Sequence, residues 1–395
     1  MRSFKTSPYA QLFSAPGTVA FEVAGFAARM GHLMTVLSVV FFVSAVTGSY
    51  GLAGTAAAAY ALAYSLAGPL FSRLIDRHGP GRVLAALAFA NTASRAGFLA
   101  VVWLAGPAWS LLAMSALSGA TMPAVGALVR ARWSRLLRGS ALLEAALSLE
   151  SVLDGTILVT APVVISVLAA YLNPAAGMIC AMLLAAGGSA ALAAHRQAGW
   201  PARGPARGAR PALFLPGFPL LILTFIAIGA GQTIIDIATV ACCGDHGAKT
   251  LSGPILGVLA LCSAAAGLWY GARKWRSAPE RRLAITLPLF AVGTLAFVAA
   301  WSIWLLFPAA FLLGLTIAPT MIAAYSIVSR IVPERQLTEG LTWVTSSLGI
   351  GISAGSAVSG TAVDVWGARA AFTAASCCAA VAIVAGISAS RHVRR

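Results

Sequence analysis

Apolar stretches long enough to be membrane helices dominate this chain. Divided at Pro, Gly and charge clusters, the sequence yields twelve of them, at about 18–46, 50–72, 83–104, 107–129, 141–171, 174–194, 213–241, 252–271, 284–303, 305–329, 338–362 and 369–390. An α-helix needs about 20 residues to cross a bilayer core of about 30 Å, and every stretch is that long. The runs are rich in Ala and Leu and do not alternate, which argues against barrel strands. A soluble domain carries about 25% charged residues. Here 10% are charged and 59% hydrophobic, too few polar residues to coat a water-facing surface. The expected fold is an all-α membrane protein with twelve transmembrane helices. The first run is too long for the hydrophobic region of a signal peptide and no small-residue cleavage site follows it, so no cleavable leader is expected.

The net charge of +16 would suggest nucleic acid in a soluble chain. Its distribution suggests otherwise. Alternate loops hold only Lys249 and Arg369, and Arg29 and Arg95 lie inside spans. Every other basic residue falls at one side, from Arg2 and Lys5 through Arg73, Arg77 and Arg82 to Arg391, Arg394 and Arg395. The positive-inside rule then places both termini in the cytoplasm, and the regular alternation requires an even number of spans. The longest polar break, "HRQAGWPARGPARGARP" (195–211), has the Pro, Gly and Arg content of a flexible linker. The organisation expected is a six-helix bundle over 1–197, a cytoplasmic linker over 198–212 and a second six-helix bundle over 213–395. The six cysteines, Cys180, Cys242, Cys243, Cys262, Cys377 and Cys378, lie in or beside apolar runs without metal-ligand spacing. They read as packing residues rather than a disulfide framework or a metal site.

The two halves resemble each other. "GPLFSRLIDRHGPGRVL" (68–84) lies on "GLWYGARKWRSAPERRL" (267–283), both between the second and third spans of their half. At a second offset "LSGATMP" (117–123) lies on "LLGLTIA" (312–318), and "SRLLRGSALLE" (134–144) on "SRIVPERQLTE" (329–339). In the last block Ser134, Arg135, Leu142 and Glu144 match Ser329, Arg330, Leu337 and Glu339. Repeats in parallel orientation are one way that twelve-helix membrane proteins are built.

Within this frame, Arg73, Leu74, Asp76, Arg77 and Gly79 of "SRLIDRHGPGR" resemble the loop motif G-x-L-a-D-R-x-G-R-R of the major facilitator superfamily, with Ser72 in place of the leading Gly and the later Arg displaced to Arg82. The resemblance implies a gate on the cytoplasmic side. Its Asp76 would contact the start of the eleventh helix near Thr338, and an Arg at the base of the fourth, Arg130 or Arg132. Arg77 and Arg82 serve equally well as a topology signal. Exporting members have a glycine-rich G-P motif in the fifth helix; Ala161 and Pro162 resemble its centre, without the flanking glycines. In "GIGISAGSAVSG" (349–360), Gly351 and Gly355 form a G-x-x-x-G packing face.

Four ionisable residues lie deep in spans: Arg29 in the first, Arg95 in the third, Glu150 and Asp154 in the fifth. Each is about 15–21 Å along its helix at 1.5 Å per residue. A charge at that depth is paired or functional. Glu150 and Asp154, four residues apart, share a face. They either carry a coupling proton and line a substrate site, or form a fixed ion-pair network with Arg29 and Arg95 as countercharges. Asp236 and Gln232 in the seventh span face substrate or an outer vestibule. Glu22 and Glu144 lie nearer the cytoplasmic face, and Glu144, with its repeat partner Glu339, suits a gate or a helix cap.

The resemblance implies a secondary transporter that works by alternating access, with protons and a small, partly apolar molecule as its partners and no cofactor. Proton-coupled efflux is the reading preferred, and proton-coupled uptake the alternative. A channel or a membrane enzyme is remote, since His32, His78, His195, His246 and His392 are scattered and no nucleotide motif is present. The expected setting is a monomer in the bacterial inner membrane, without nucleic acid.

Overall fold

The computed structural model describes residues 8–13, 17–140, 142–194, 212–248, 251–273 and 275–394. The linker expected over 198–212 lies outside them except for Ala212, as do Arg2, Lys5 and Lys249. Among the described residues the fold is helical, without strands. A short α1 (Pro8–Leu12) precedes α2 (Thr18–Thr47), α3 (Tyr50–His78), α4 (Pro80–Trp103), α5 (Ala108–Thr121), α6 (Val125–Leu136), α7 (Leu142–Tyr171) and α8 (Ala176–Ala194). There follow α9 (Phe218–Asp245), α10 (Ser252–Ala272), α11 (Pro279–Ala299), α12 (Leu306–Ile331), α13 (Leu337–Trp366) and α14 (Ala368–Arg394).

Eleven segments among the described residues are long and apolar enough to cross a membrane, with α5 and α6 counted as one segment, Ala108–Leu136. The 29-residue α3 is not one of the eleven. Its Gly, Tyr and Ser residues dilute the hydropathy.

Two differences from the sequence reading have local causes. The fourth span is broken, because Met122 is extended (φ −71°, ψ 119°) and Pro123, which has no N–H, starts a new helix direction. That break sets the azimuth of Arg130 on α6. The ninth span begins at Pro279 rather than 284, because Pro279 at the first helical position and Glu280 in the first turn make a favourable N-terminus that an apolar window misses.

Contacts concentrate within α2–α8, where α2 packs on α8, α3 on α5 and α4 on both α5 and α8. They concentrate again within α9–α14, where α9 packs on α13 and α14, and α12 on α10 and α11. Close approach of α9 and α13 depends on glycine: a Cβ on Gly351 or Gly355 would strike backbone atoms of Ile226 or Ala230. The two sets of helices meet through α7 against α10 and α12, and through α13 against α3 and α6. Large apolar side chains remain on the outside; on α3, Leu62, Leu66 and Leu70 form an exposed stripe at successive turns. Exposed Trp103, Trp109, Tyr171, Trp301, Trp304 and Trp366 sit at the helix ends opposite the Arg-rich turns, an interfacial aromatic belt. The six cysteines are free.

Candidate functional site

Three helices of the first set bring charge into the interior. On α2, Arg29 uses one nitrogen, Nη1, to reach both acids of α7: Glu150 Oε2 and Asp154 Oδ1, each at 2.7 Å. Helical spacing explains this, since Glu150 and Asp154 stand one turn apart on one face. On α6, Arg130 donates through Nη2 to Asp154 Oδ2, and its guanidinium lies 4.7 Å from the ring centre of Tyr325 on α12. Glu22, two turns before Arg29, accepts from Trp133 Nε1 at 2.8 Å. Arg29, Arg130, Glu22 and Glu150 are buried, whereas the Asp154 side chain is 39% exposed. Asp154 is therefore the acid that meets open space, and it is also the one held by two guanidinium groups. The carboxyl groups of Glu22 and Glu150 stand beside each other, and Arg29 Nη2 and Arg130 Nε are buried without a hydrogen-bond partner among the described residues, so the network has spare donors.

Two assignments from sequence are corrected. Arg95 is not a countercharge to Glu150 or Asp154. It belongs to the face of α4 that packs on α5 and α8, and it donates to Ser118 Oγ at 3.3 Å and to the Ala181 carbonyl at 3.0 Å. Depth along the helix matched, but azimuth did not. Arg130, expected beside Asp76, is the second cation of the interior network instead. Asp236 and Gln232 lie one turn apart on α9, both partly exposed, and neither has a polar partner among the described residues.

At the Arg-rich end the two sets of helices are latched together. Asp76 Oδ2 accepts the backbone N–H of Glu339 at 2.9 Å, within the first turn of α13, where a carboxylate is favoured by the helix dipole. Its Oδ1 accepts from Arg135 Nη2 at 2.8 Å, so Arg135 fills the place expected for Arg130 or Arg132. Arg135 also donates to the Glu334 carbonyl, and Arg138 pairs with the Glu334 carboxylate at 3.1 Å. Arg73 grips Glu339 with a two-pronged fork, Nε to Oε2 at 3.1 Å and Nη2 to Oε1 at 2.9 Å. Glu144 pairs with Arg282 across the molecule. Hydroxyl contacts complete the seam: Ser72 to Thr342 at 2.6 Å, and Ser134 to Ser329 at 2.8 Å. Arg77 is exposed, and Gly79, at φ 81°, makes the tight turn between α3 and α4.

Toward the other end this seam stops. Gly54 on α3, Gly155 on α7, Gly253 and Gly257 on α10 and Gly360 on α13 have open space where a Cβ would stand.

Sequence reading missed Arg135, Arg138, Arg282, Glu334 and Tyr325. For Arg135 a signal was present, since it lies in the matched block 134–144. Arg138 and Glu334 carried none beyond their position in Arg-rich loops.

The chain matches the family model described as Major Facilitator Superfamily over residues 221–394. No curated protein matches it by sequence. Among solved structures it is similar to the human organic anion transporter MFSD10 (TETRAN), with TM-score 0.72 and 14% identity over 94% of this chain and 100% of that one. It is similar to a bacterial homologue of the iron transporter ferroportin in an outward-facing state, with TM-score 0.72 and 14% identity over 95% and 99%. It is also similar to the Escherichia coli fucose:proton symporter, with TM-score 0.69 and 12% identity over 92% and 97%. Residues 221–394 therefore match the Major Facilitator Superfamily model, and the chain as a whole shares its fold with the transporters named above.

Proposed function

We propose that this protein is a secondary active transporter that moves a small, partly apolar molecule by alternating access, coupled to protons, and that it works in the direction of efflux across a bacterial inner membrane. The observation that carries the reading is the pairing of a polar latch at one end with an interior ion network whose Asp154 is partly exposed. Such an arrangement exposes a mid-membrane site to one side at a time.

In this reading α3 is the twelfth span. Its exposed leucine stripe supports that, because such a stripe is better placed in lipid than in water. Two six-helix bundles, 1–197 and 213–395, are joined by the linker over 198–212. Supporting a pseudo-repeat, α7 and α13 both have 30 residues, and their starts differ by the same offset as the blocks 134–144 and 329–339. The matched Ser134 and Ser329 touch each other, and the matched Glu144 and Glu339 each pair with an Arg of the opposite half. Both termini and the latch are cytoplasmic by the positive-inside rule, so the conformation described is open to the outside. Glu150 and Asp154 are the coupling acids, Arg29 and Arg130 their partners, and Asp236 with Gln232 lines the opposite wall. Proton-coupled uptake is the competing direction, favoured by the likeness to fucose and xylose proton symporters.

The test uses the full chain in proteoliposomes with a pH dye inside and a panel of amphiphilic compounds. Compound-dependent proton movement is expected, abolished by Glu150→Gln or Asp154→Asn. Compound flux that both variants retain with unchanged pH dependence would end the assignment of coupling to these acids.

A further inference from the structure

Among the described residues, Arg95 is the largest side chain that is completely buried. Its neighbours are neutral: Ser118 Oγ, the Ala181 carbonyl, Tyr60 Oη at 3.4 Å and Met122 Sδ at 3.6 Å. Among the described residues no ion pair reaches it. Arginine does not give up its proton in proteins, so the charge stands. The other interior guanidinium groups of α2 and α6 have acids or a ring beside them: Arg29 and Arg130 face Glu150 and Asp154, and Arg132 stacks on Phe21. Arg95 alone of these has neither an acid nor a ring beside it among the described residues.

The contacts of Arg95 lead toward the interior opening. Tyr60 Oη also lies 2.8 Å from His32 Nδ1. The His32 ring lies 4.1 Å from that of Tyr64, and both side chains are half-buried. His32 is one turn beyond Arg29 on α2, and Tyr64 stands within electrostatic range of Asp154, Arg130 and Tyr325. A hydroxyl beside a guanidinium turns its oxygen to the cation and its hydrogen away. We assign that hydrogen to His32 Nδ1 rather than to Thr35, whose hydroxyl also stands beside Tyr60. That nitrogen then accepts, and the ring hydrogen resides on Nε2. Nε2–H is left as a donor with no hydrogen bond among the described residues, backed by an unbalanced positive charge.

Resting on the transporter reading above, we propose that His32, held in this tautomer by Tyr60 and Arg95, binds an anionic group of the transported molecule, so that the substrate is a small carboxylate with an apolar body. His32 is the contact; Tyr60 and Arg95 are positioning residues that act through it.

The experiment measures binding by intrinsic fluorescence to the full chain in nanodiscs. The probes are benzoate and hexanoate, each beside its amide and its amine. Both carboxylates are expected to bind at least about tenfold more tightly than the matched amides and amines, the scale of a charge-assisted hydrogen bond. His32→Gln, whose amide N–H can stand near Nε2, should keep carboxylate affinity within about threefold, and His32→Leu should lose at least about tenfold. Arg95→Met should erase the preference for carboxylate over amide while leaving amide binding unchanged, a readout that general loosening of the bundle would not give. Amides or amines binding as tightly as carboxylates, no binding by either carboxylate, or carboxylate binding unchanged in His32→Leu would each overturn the proposal. The gate experiment on Asp76 described below uses none of these probes, so a gate that opens in a protein that ignores carboxylates would leave the transporter reading standing and remove this one.

Discussion

Asp154 and Glu150 are chemically alike, one turn apart, and differently placed. Asp154 is held by Arg29 and Arg130 and is partly exposed; Glu150 is buried and shares only Arg29. Asp154→Asn leaves Arg130 with Tyr325 alone and should cost about 1–3 kcal/mol of stability, less than a fully buried pair because the site is open. Adding Arg130→Gln should recover part of that loss, a coupling of about 1 kcal/mol in melts of the detergent-solubilised protein. Strictly additive losses would show that the two side chains do not depend on each other. The sequence made the depth of these groups readable, because rise per residue is fixed. It did not reveal which faces meet, since azimuth depends on neighbours. Arg95 and Arg130 were misassigned for that reason, and the kink at Pro123 is what turns Arg130 inward.

Among the elements, α9 and α13 approach so closely that glycine is required. Gly355→Leu places a side chain against the Ala230 backbone and should destabilise by about 1–3 kcal/mol or more through overpacking. Gly360→Ala on the same helix meets open space and should change little. Equal melting temperatures for the two variants would mean that the contact is not retained in solution. Helix existence was legible throughout, because length and apolarity are local properties. Helix ends were less so: the charged first turn of α11 and the last turns of α3 carry Arg and Asp that an apolar window discards. The latch partners Arg138 and Glu334 were illegible, since a loop charge shows its partner only after the helices are assembled.

For the whole molecule, the latch is the only place where Asp76 can act at a distance. Asp76→Asn removes the charge that Arg135 and the α13 N-terminus share, and should open the Arg-rich side. In a background without the native cysteines, Ser346→Cys, buried between α3 and α13, should then label severalfold faster from that side. Unchanged labelling would reduce the loop to a topology signal. Cysteines at Gly139 and Gly247 should label from opposite faces of intact cells; labelling from one face would end the twelve-span arrangement. At the Arg-rich end the seam between the halves holds many ion pairs and hydroxyl contacts. On opening, each of these groups exchanges its partner for water, which lowers the cost of parting them. Reversing such an equilibrium from 1:99 to 99:1 takes about a 10⁴-fold difference in ligand affinity between the two states, roughly 5.5 kcal/mol. Cargo and protons supply it only through the difference in their affinity for the two states, and added salt, by screening the exposed Arg138–Glu334 pair, shifts the starting balance toward the open side.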